Sequence, residues 1–284
     1  MNISRITRES ILKHLVSRKI KFYGEIGILE FLNKIWDLKS LPSYYGHRYD
    51  NLYDEIWQHM VINDDWDAET LLKGPLNILE CDDETFINFI GNSIHPEVIH
   101  SKDNLMDSFF QIRSFLRNDG YKLKKRGEIS GIPEFRVEKE RKQIGDEYDI
   151  ALSYASEQRD YVEKVGSHLN GKGVKVFLDI FEEVNMWGKN LPEFFQEIFG
   201  GEKTQYFCVI FISKEYSEKW WTKYEFNQAL TREIKEKKLF VLPARFDNSE
   251  LKGLPQTISY IDLTRKSPEK FAEMIMQKLI DNIE

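Results

Sequence analysis

Residues 211–226 read FISKEYSEKWWTKYEF, and within them a buried strand passes into an amphipathic helix. The apolar run Tyr206–Ile212 predicts a strand buried on both faces, and Ser217 is placed to cap the helix that follows. Trp221 and Glu225 stand four residues apart, so they share one helical face near the carboxyl end of the strand. Ligands bind at that edge in open α/β sheets. A core tryptophan followed by a surface glutamate explains the same spacing, so the spacing alone leaves both interpretations open.

Alternating strands and helices surround this stretch from Tyr148 onward. Capping residues and apolar periodicity predict helices after Ser156, around Pro192 and from Ser267. Apolar runs predict four further strands: Tyr148–Ser153, Val174–Leu178, Leu239–Leu242 and Ile258–Leu263. Five parallel strands joined by crossover helices predict an α/β fold with a flavodoxin-like, doubly wound sheet.

Five segments of this half carry a family resemblance: YDIALSYA (148–155), VKVFLD (174–179), WGK (187–189), SEKWWTKYEF (217–226) and LPARFD (242–247). In this order and spacing they resemble a bacterial TIR domain across residues 148–263. In TIR domains that cleave NAD+, the catalytic carboxylate is a helix glutamate four residues after a tryptophan. The resemblance therefore implies NAD+ cleavage with Glu225 as the catalytic residue and Trp221 as an aromatic wall for the sugar or base.

The same resemblance assigns two loops to the site. The residues implied are Ser153, Tyr154, Ala155, Asp179, Trp187 and Gly188. The first loop is expected to border the nicotinamide, and the second to close over the nucleotide or to meet a neighbouring TIR domain. In catalytic relatives the pocket is often completed when two TIR domains pack together, so a homo-oligomer is expected. NAD+ is then a substrate, and neither a cofactor nor a metal is implied.

The chemistry of NAD+ explains why one carboxylate suffices. Nicotinamide already carries a positive charge, so its bond to ribose breaks without protonation of the leaving group. Ordinary glycosidases need a second carboxyl group as the acid, because their leaving oxygen is poor. Glu225 would hold the ribose hydroxyls, stabilise the developing oxocarbenium ion and orient water.

The first half, up to about residue 143, is predicted to be mainly helical. Apolar periodicity predicts a helix capped by Thr7, one from Ile26 to Trp36, one around Leu52–Met60, one opened by Asp82 and Asp83, and one between Ser101 and Gly120. A short hairpin or meander follows, with strands at Tyr121–Lys125 and Glu128–Val137 and a turn at Arg126–Gly127.

This half resembles the amino-terminal module of AbiJ-type abortive-infection proteins. The segments that carry the resemblance are GEIG (24–27), DEIWQH (54–59), NDDWD (63–67) and GEISG (127–131). The resemblance implies a phage-defence context and brings no enzymatic activity with it. Domain logic favours a sensing, regulatory or oligomerising role for residues 1–143 ahead of a TIR domain at 144–284, with a phage-derived or partner-protein trigger.

Two groups in the first half contain metal-ligand residue types: His59 with Asp64 and Asp65, and His95 with Glu97 and His100. Neither repeats the spacing of a zinc or two-metal site, which favours structural or surface roles.

Composition narrows the function classes. The net charge of −7 argues against non-specific nucleic-acid binding, which requires many cations. No apolar run reaches membrane-spanning length, the first residues lack the apolar core of a signal peptide, and Cys81 and Cys208 lack CxxC spacing, so a cytoplasmic protein with reduced thiols is expected.

Three functions remain at this stage. The first is an NAD+ glycohydrolase effector that releases nicotinamide with ADP-ribose or a cyclic isomer. The second is a non-catalytic TIR adaptor, against which Glu225 counts because scaffolding needs no carboxylate there. The third is a TIR enzyme acting on another nucleotide or on nucleic acid, which the acidic composition disfavours.

Overall fold

The computed structural model describes residues 3–18, 21–46, 48–139, 148–178, 204–222, 241–251, 254 and 257–282, with the backbone alone for residues 205 and 219–222. The chain divides into two compact units, residues 1–143 and 144–283. In the described residues, no helix is both long enough and apolar enough to span a membrane.

The amino-terminal unit is helical with one hairpin. Its α-helices are α1 (Arg5–Ser17), α2 (Ile28–Asn33), α3 (Leu52–Trp57), α4 (Ala68–Lys73), α5 (Asp83–Ser93) and α6 (Lys102–Arg117). A π-helical turn, Gln58–Ile62, continues α3. The core is rich in phenylalanine: the ring of Phe31 lies 5.4 Å from Phe22 and 6.0 Å from Phe89, and all three rings are buried. The mainly helical prediction is confirmed.

Two helices begin or end elsewhere than predicted, and one was missed. Helix α1 is capped by Ser4, whose Oγ accepts a hydrogen bond from the backbone N–H of Thr7, so Thr7 lies inside the helix that it was predicted to cap. Helix α2 stops at Asn33, short of the predicted Trp36. Helix α4, six residues long, was not predicted.

The hairpin pairs β1 (Tyr121–Ile129) with β2 (Ile132–Lys139) in antiparallel register. The predicted turn at Arg126–Gly127 is wrong: β1 runs through these residues, and the register shifts there as in a β-bulge. The chain reverses at Ser130 and Gly131, which have φ values of 52° and 78°. Two successive residues of positive φ form the type I′ geometry that matches strand twist, so these two residues set the hairpin.

The carboxy-terminal unit is built on one parallel sheet. Its strands are β3 (Tyr148–Ser153), β4 (Val176–Phe177), β5 (Thr204–Ile212), β6 (Val241–Arg245) and β7 (Ile261–Asp262), in the spatial order β4-β3-β5-β6-β7. Every neighbouring pair is parallel. This is the predicted flavodoxin-like order, and it confirms the fold class. Strands β4 and β7 are two residues long and shorter than predicted, and the helix predicted around Pro192 lies outside the described residues.

Helices lie against this sheet as α7 (Arg159–Gly171), α8 (Lys214–Thr222) and α9 (Pro268–Asp281), with a 3-10 turn at Ser156–Gln158 before α7. On one face, the ring of Phe211 contacts Phe271 of α9 at 5.6 Å and Tyr161 of α7 at 6.4 Å. The other face buries Cys208, Ile210 and Ile212 against a cluster that includes Tyr216 of α8. Side chains from Phe207 to Ile212 are completely buried, which confirms that β5 is covered on both faces.

Candidate functional site

The strand order places the switch point of the sheet between the carboxyl ends of β3 and β5, where doubly wound sheets form a crevice. From β3 the chain crosses to β4 on one side, whereas β5 pairs with β3 on the other side. Connections that leave a parallel sheet in opposite directions open a crevice at that point, and ligands of doubly wound proteins bind there. Ser153, the last residue of β3, lies in register with Ile210, and β5 continues to Ile212 before α8 begins.

Ser213 starts the helix at this edge. Its Oγ accepts a hydrogen bond from the backbone N–H of Tyr216 at 3.1 Å, which is the usual bond between an N-cap side chain and the third helical residue. The prediction that Ser217 caps this helix is therefore wrong. Ser217 lies in the first turn, where its N–H bonds the Ser213 carbonyl at 2.9 Å. The strand ends at Ile212, so the helix begins directly after Ser213, the first of the two serines that precede Trp221.

A hydrogen bond joins the two sides of the crevice. The hydroxyl oxygens of Ser153 and Tyr216 are 2.6 Å apart. The tyrosine ring is buried with the sheet cluster, and its burial raises the pKa of the phenol, so the group stays protonated. A buried phenol needs a hydrogen-bond partner, and Ser153 provides it.

A second bridge runs through Gln158 of the 3-10 turn. Its side-chain oxygen accepts from Ser213 Oγ at 3.1 Å, and its side-chain nitrogen donates to Glu215 Oε2 at 3.2 Å. The pKa of Glu215 is lowered, mainly by its own backbone N–H and then by the hydroxyl of Ser213 and the amide of Gln158. This half-buried carboxylate therefore stays ionised at the helix start, where the helix dipole favours negative charge.

The loop after β6 is hydrogen-bonded to the end of β5 and the start of α8. Asp247 accepts a hydrogen bond from the backbone N–H of Lys214 at 2.9 Å, and the N–H of Phe246 donates to the carbonyl of Ile212 at 2.9 Å. The first turn of α8 is therefore held by both neighbouring loops.

The structure brings together part of the predicted residue set. Ser153 is half-buried at the end of β3, Tyr154 follows it, and Ala155 is buried in the sheet cluster. Trp221 belongs to α8, for which only the backbone is described at this position. Glu225, Asp179, Trp187 and Gly188 lie outside the described residues, so their roles stay predictions.

Sequence reasoning missed Tyr216, Ser213 and Gln158 at this site. The sequence carries a signal for the tyrosine, since Tyr216 follows Ser213 by the three residues that separate an N-cap from the third helical position. Gln158 is 55 residues from Ser213, and no local pattern connects them.

The histidine groups of the amino-terminal unit make hydrogen bonds to other groups. His59 Nδ1 donates to Asp65 Oδ1 at 2.7 Å, and its ring stacks on Trp66 at 4.4 Å. His100 Nε2 donates to the Glu97 carbonyl at 2.9 Å. Over the described part of the chain, no three His, Cys, Asp or Glu side chains are arranged to hold a metal ion.

Two family matches cover most of the chain. Residues 2–137 match the family described as AbiJ N-terminal domain 3, and residues 150–280 match the TIR domain family. The two matches follow the two compact units in order.

Three curated relatives are similar to part of the chain. The 3' cyclic ADP-D-ribose synthase AaTIR of Aquimarina amphilecti is 48% identical over 133 residues, which are 47% of this chain and 40% of that protein. The NAD(+) hydrolase TirS of Staphylococcus aureus (strain MSSA476) is 39% identical over 98 residues, 34% of this chain and 33% of that protein. The probable 2' cyclic ADP-D-ribose synthase TcpO of Methanobrevibacter olleyae is 30% identical over 140 residues, 48% of this chain and 39% of that protein.

Each relative is matched over less than half of its own length. What is shared is therefore a domain rather than a whole protein. The family matches and the parallel sheet agree on which domain that is. The chain joins an AbiJ N-terminal domain 3 to a carboxy-terminal TIR domain.

Proposed function

We propose that the TIR domain cleaves the bond between nicotinamide and ribose in NAD+, with Glu225 as the catalytic carboxylate. The observation that carries the proposal is the 48% identity with a cyclic ADP-D-ribose synthase over 133 residues. A relative named as an NAD(+) hydrolase supports the same bond as the one that breaks. Hydrolysis and cyclisation both begin with the loss of nicotinamide.

The described part of the crevice supports this proposal, because it holds a side-chain hydroxyl beside the start of the helix that leads to Trp221. The hydroxyl of Ser153 lies at its rim, and α8 carries Trp221 away from the same rim. Glu225 follows three residues after the last described residue of α8. A polar hydroxyl, an aromatic ring and a carboxylate are the groups that ribose and a developing cation require.

The reaction breaks one bond and forms another. The electron pair of the glycosidic C–N bond passes to the ring nitrogen of nicotinamide and neutralises its charge, which leaves an oxocarbenium-like ribose. The carboxylate of Glu225 stabilises that cation and orients the nucleophile. When water attacks, its oxygen bonds the anomeric carbon, its proton passes to Glu225 and then to solvent, and the product is ADP-ribose. When a hydroxyl of the same molecule attacks, the product is a cyclic isomer.

The amino-terminal domain would control this activity. We assign to residues 1–143 a sensing, regulatory or oligomerising role, and to residues 144–284 the effector role. The AbiJ-type module supports a place in antiphage, abortive-infection defence. We propose that the protein acts in the cytoplasm and that loss of NAD+ is its output. A phage-derived or partner-protein trigger would assemble the chains and bring TIR domains together, with Asp179, Trp187 and Gly188 at or near the contact.

The test is NAD+ consumption with product separation, comparing wild type with Glu225→Gln at high protein concentration and in cells that express each. Glu225→Gln keeps the size of the side chain and removes its charge, so we expect turnover to fall at least about 100-fold. Glu218→Gln is the matched control, since Glu218 is exposed on α8 and its substitution makes the same change in charge. The control should keep wild-type turnover.

Each result decides between the functions. Nicotinamide release by wild type and Glu218→Gln, but not by Glu225→Gln, supports the glycohydrolase, and the second product then identifies hydrolysis or cyclisation. If wild type consumes no NAD+ even when its TIR domains are clustered by fusion to an oligomeric protein, the enzyme proposal fails and the adaptor function takes its place. Equal loss in both variants would remove Glu225 from the catalytic role.

A further inference from the structure

Residues 44–69 of the amino-terminal domain are unusually acidic and aromatic. They hold seven carboxylates against one arginine, and six of the chain's nineteen tyrosine and tryptophan residues. Several large side chains are exposed here: Tyr44, Tyr45, Trp57, Val61 and Ile62. We name the part formed by Tyr44, Tyr45, Asp64 and Asp65 the acidic aromatic surface. Nothing in the TIR chemistry uses it.

A buried carboxylate fixes the two tyrosines in their exposed positions. Glu55 is completely buried, and its two oxygens accept hydrogen bonds from the backbone N–H groups of Tyr44 at 2.5 Å and Tyr45 at 3.1 Å. Burying a carboxylate is costly unless it is fully hydrogen-bonded. The result here is a rigid turn whose two rings remain 53% and 57% exposed and lie 5.2 Å apart.

The layer beneath these rings is also rigid. His59 stacks on Trp66 at an interplanar angle of 4°, and the ring of Tyr45 lies 6.0 Å from Trp66. Asp65 and Tyr49 hold the two ring nitrogens of His59 at 2.7 Å and 3.3 Å. The π-helical turn that carries His59 is a backbone form found often at functional sites. A preorganised surface loses little entropy on binding, which favours recognition.

Charge decides the chemistry of the partner. The side chain of Asp65 is half exposed, and its hydrogen bond with His59 lowers the pKa of the carboxyl, so it stays ionised. Asp64, the preceding residue, is also exposed, and its charge acts on Lys21 of the same domain, so Lys21 offsets part of the negative charge here. Carboxylates repel the phosphates of nucleic acids and anionic lipids. Aromatic faces and carboxylates together attract ammonium and guanidinium groups.

Other tyrosines of this domain already hold cations on their faces. The pairs are Lys21 over Tyr23 at 5.3 Å, Lys39 over Tyr53 at 5.2 Å and Arg48 over Tyr49 at 5.7 Å. Within the described residues, no lysine or arginine lies over the ring of Tyr44 or Tyr45. Their faces are therefore available to a cation from outside.

We propose that the acidic aromatic surface docks a partner polypeptide through an exposed arginine or lysine, which lies against the rings of Tyr44 and Tyr45 and beside the carboxylates of Asp64 and Asp65. The partner is a protein segment rather than a nucleic acid or a membrane, because the carboxylates of this surface repel phosphates and because tyrosine is enriched in protein-binding surfaces.

The experiment measures binding of the full chain to a fluorescein-labelled octapeptide of alternating arginine and serine, by anisotropy at about 0.15 M salt. Tyr45→Ala and Tyr44→Ala should each weaken binding about fivefold, whereas Tyr45→Phe should bind as wild type does, because the attraction uses the ring face. Asp64→Asn should weaken binding about threefold, and asparagine tolerates the φ of 52° at this position. The glutamate–serine octapeptide should not bind.

Matched controls separate this surface from general attraction to an acidic protein. Tyr260→Ala removes a tyrosine of similar exposure from the TIR domain, and Glu250→Gln removes an exposed carboxylate there; both should bind the peptide as wild type does. Circular dichroism checks that every variant is folded. If an alanine variant is unfolded, the test uses the single variants Asp64→Asn, which should bind more weakly, and Tyr45→Phe, which should bind as wild type does.

Three outcomes overturn the proposal. In the first, wild type shows no saturable binding of the arginine peptide, or Tyr45→Ala and Asp64→Asn bind it as tightly as wild type does. In the second, a labelled duplex DNA oligonucleotide binds more tightly than the arginine peptide and depends on Tyr45, which assigns the surface to nucleic acid. In the third, sedimentation shows self-association that Tyr45→Ala abolishes while the peptide does not bind, which assigns the surface to a second copy of the chain.

Discussion

At the residue scale, the hydroxyl groups of Ser153 and Tyr216 connect segments that are 63 residues apart. The bond fixes the first loop of the site against the start of α8, which also carries Trp221. Losing this bond would cost stability, because the tyrosine is only 7% exposed and the bond lies in a part-buried place. We therefore treat Tyr216 as a positioning residue for the crevice.

Replacement of Tyr216 by phenylalanine should expose this role. Tyr216→Phe keeps the buried ring and removes the hydroxyl, so the TIR domain should lose about 1 kcal/mol of unfolding free energy. NAD+ turnover should fall on the order of tenfold, mainly in kcat, because the two sides of the crevice lose their alignment. Steady-state kinetics and thermal unfolding measure the two effects.

A double-mutant cycle gives the control for this prediction. Ser153→Ala should cause a similar loss, and the double variant should lose little more than either single one, since both remove the same bond. Tyr260→Phe removes the hydroxyl of a half-exposed tyrosine and should change nothing. Additive losses in the cycle, or a Tyr216→Phe variant with unchanged kcat, would show that the bond does not position the site.

At the element scale, side-chain caps mark the start of several helices in the described residues. Ser4, Asn51, Asp67, Asp82 and Ser267 each accept a hydrogen bond from the backbone N–H three residues on. Such caps satisfy N–H groups that a helix leaves unpaired, and acidic caps also complement the helix dipole. In these five helices the cap marks where the helix begins, and so which side chains face the core.

The Asp82 side chain, which caps α5, should make the stability of the amino-terminal domain depend on pH. The side-chain and backbone hydrogen bonds from Thr85 lower the pKa of Asp82 below its ordinary value of 3.8. Because the folded state binds the proton less tightly than the unfolded state, the stabilisation is present above about pH 4 and is lost as pH falls through the folded pKa. Asp82→Asn keeps an acceptor that does not titrate, so its melting temperature should depend less on pH between about 2 and 5.

The comparison is thermal unfolding of the wild type and Asp82→Asn across that range. Asp103→Asn, in the first turn of α6, is the control for a general change in charge, because α6 has no side-chain cap bond. Asp82→Ala should melt a few degrees lower than the wild type at pH 7, since it loses the acceptor altogether. Parallel pH curves for wild type and Asp82→Asn would contradict a titrating cap.

At the scale of the whole molecule, the chain has two cores. Phe109 is completely buried in the amino-terminal domain, and Ile210 is completely buried in the TIR domain. Domains with separate cores unfold as separate units unless a large interface couples them. We therefore expect two calorimetric transitions.

Core substitutions should assign these transitions. Phe109→Ala should lower the unfolding free energy of the amino-terminal domain by about 3–5 kcal/mol. Ile210→Ala should lower that of the TIR domain by about 2–5 kcal/mol. Each variant should therefore shift one transition to lower temperature. Exposed Ile6, mutated to alanine, serves as the control and should shift neither. A single transition that both core variants lower equally would mean that the domains unfold together.

The sequence by itself determined the fold class and most of the element types. The uninterrupted apolar run of β5 could only be a strand covered on both sides, and the 3.6-residue periodicity of α6 and α9 fixed their buried faces. Burial and periodicity are local properties that side chains carry with them. The sequence also pointed to Glu225 and Trp221 through a family pattern, and their roles await the proposed test.

Tertiary structure alone decided which residues meet. The strand order brings the end of β3 beside the end of β5, so Ser153 bonds Tyr216 and Gln158 bonds Ser213 across more than fifty residues of chain. The structure also corrected two local predictions. The helix is capped by Ser213 and not by Ser217, and the hairpin turns at Ser130–Gly131 and not at Arg126–Gly127. Several residues satisfied the local rule in each case, and the strand register, a long-range property of the sheet or hairpin, selected one of them.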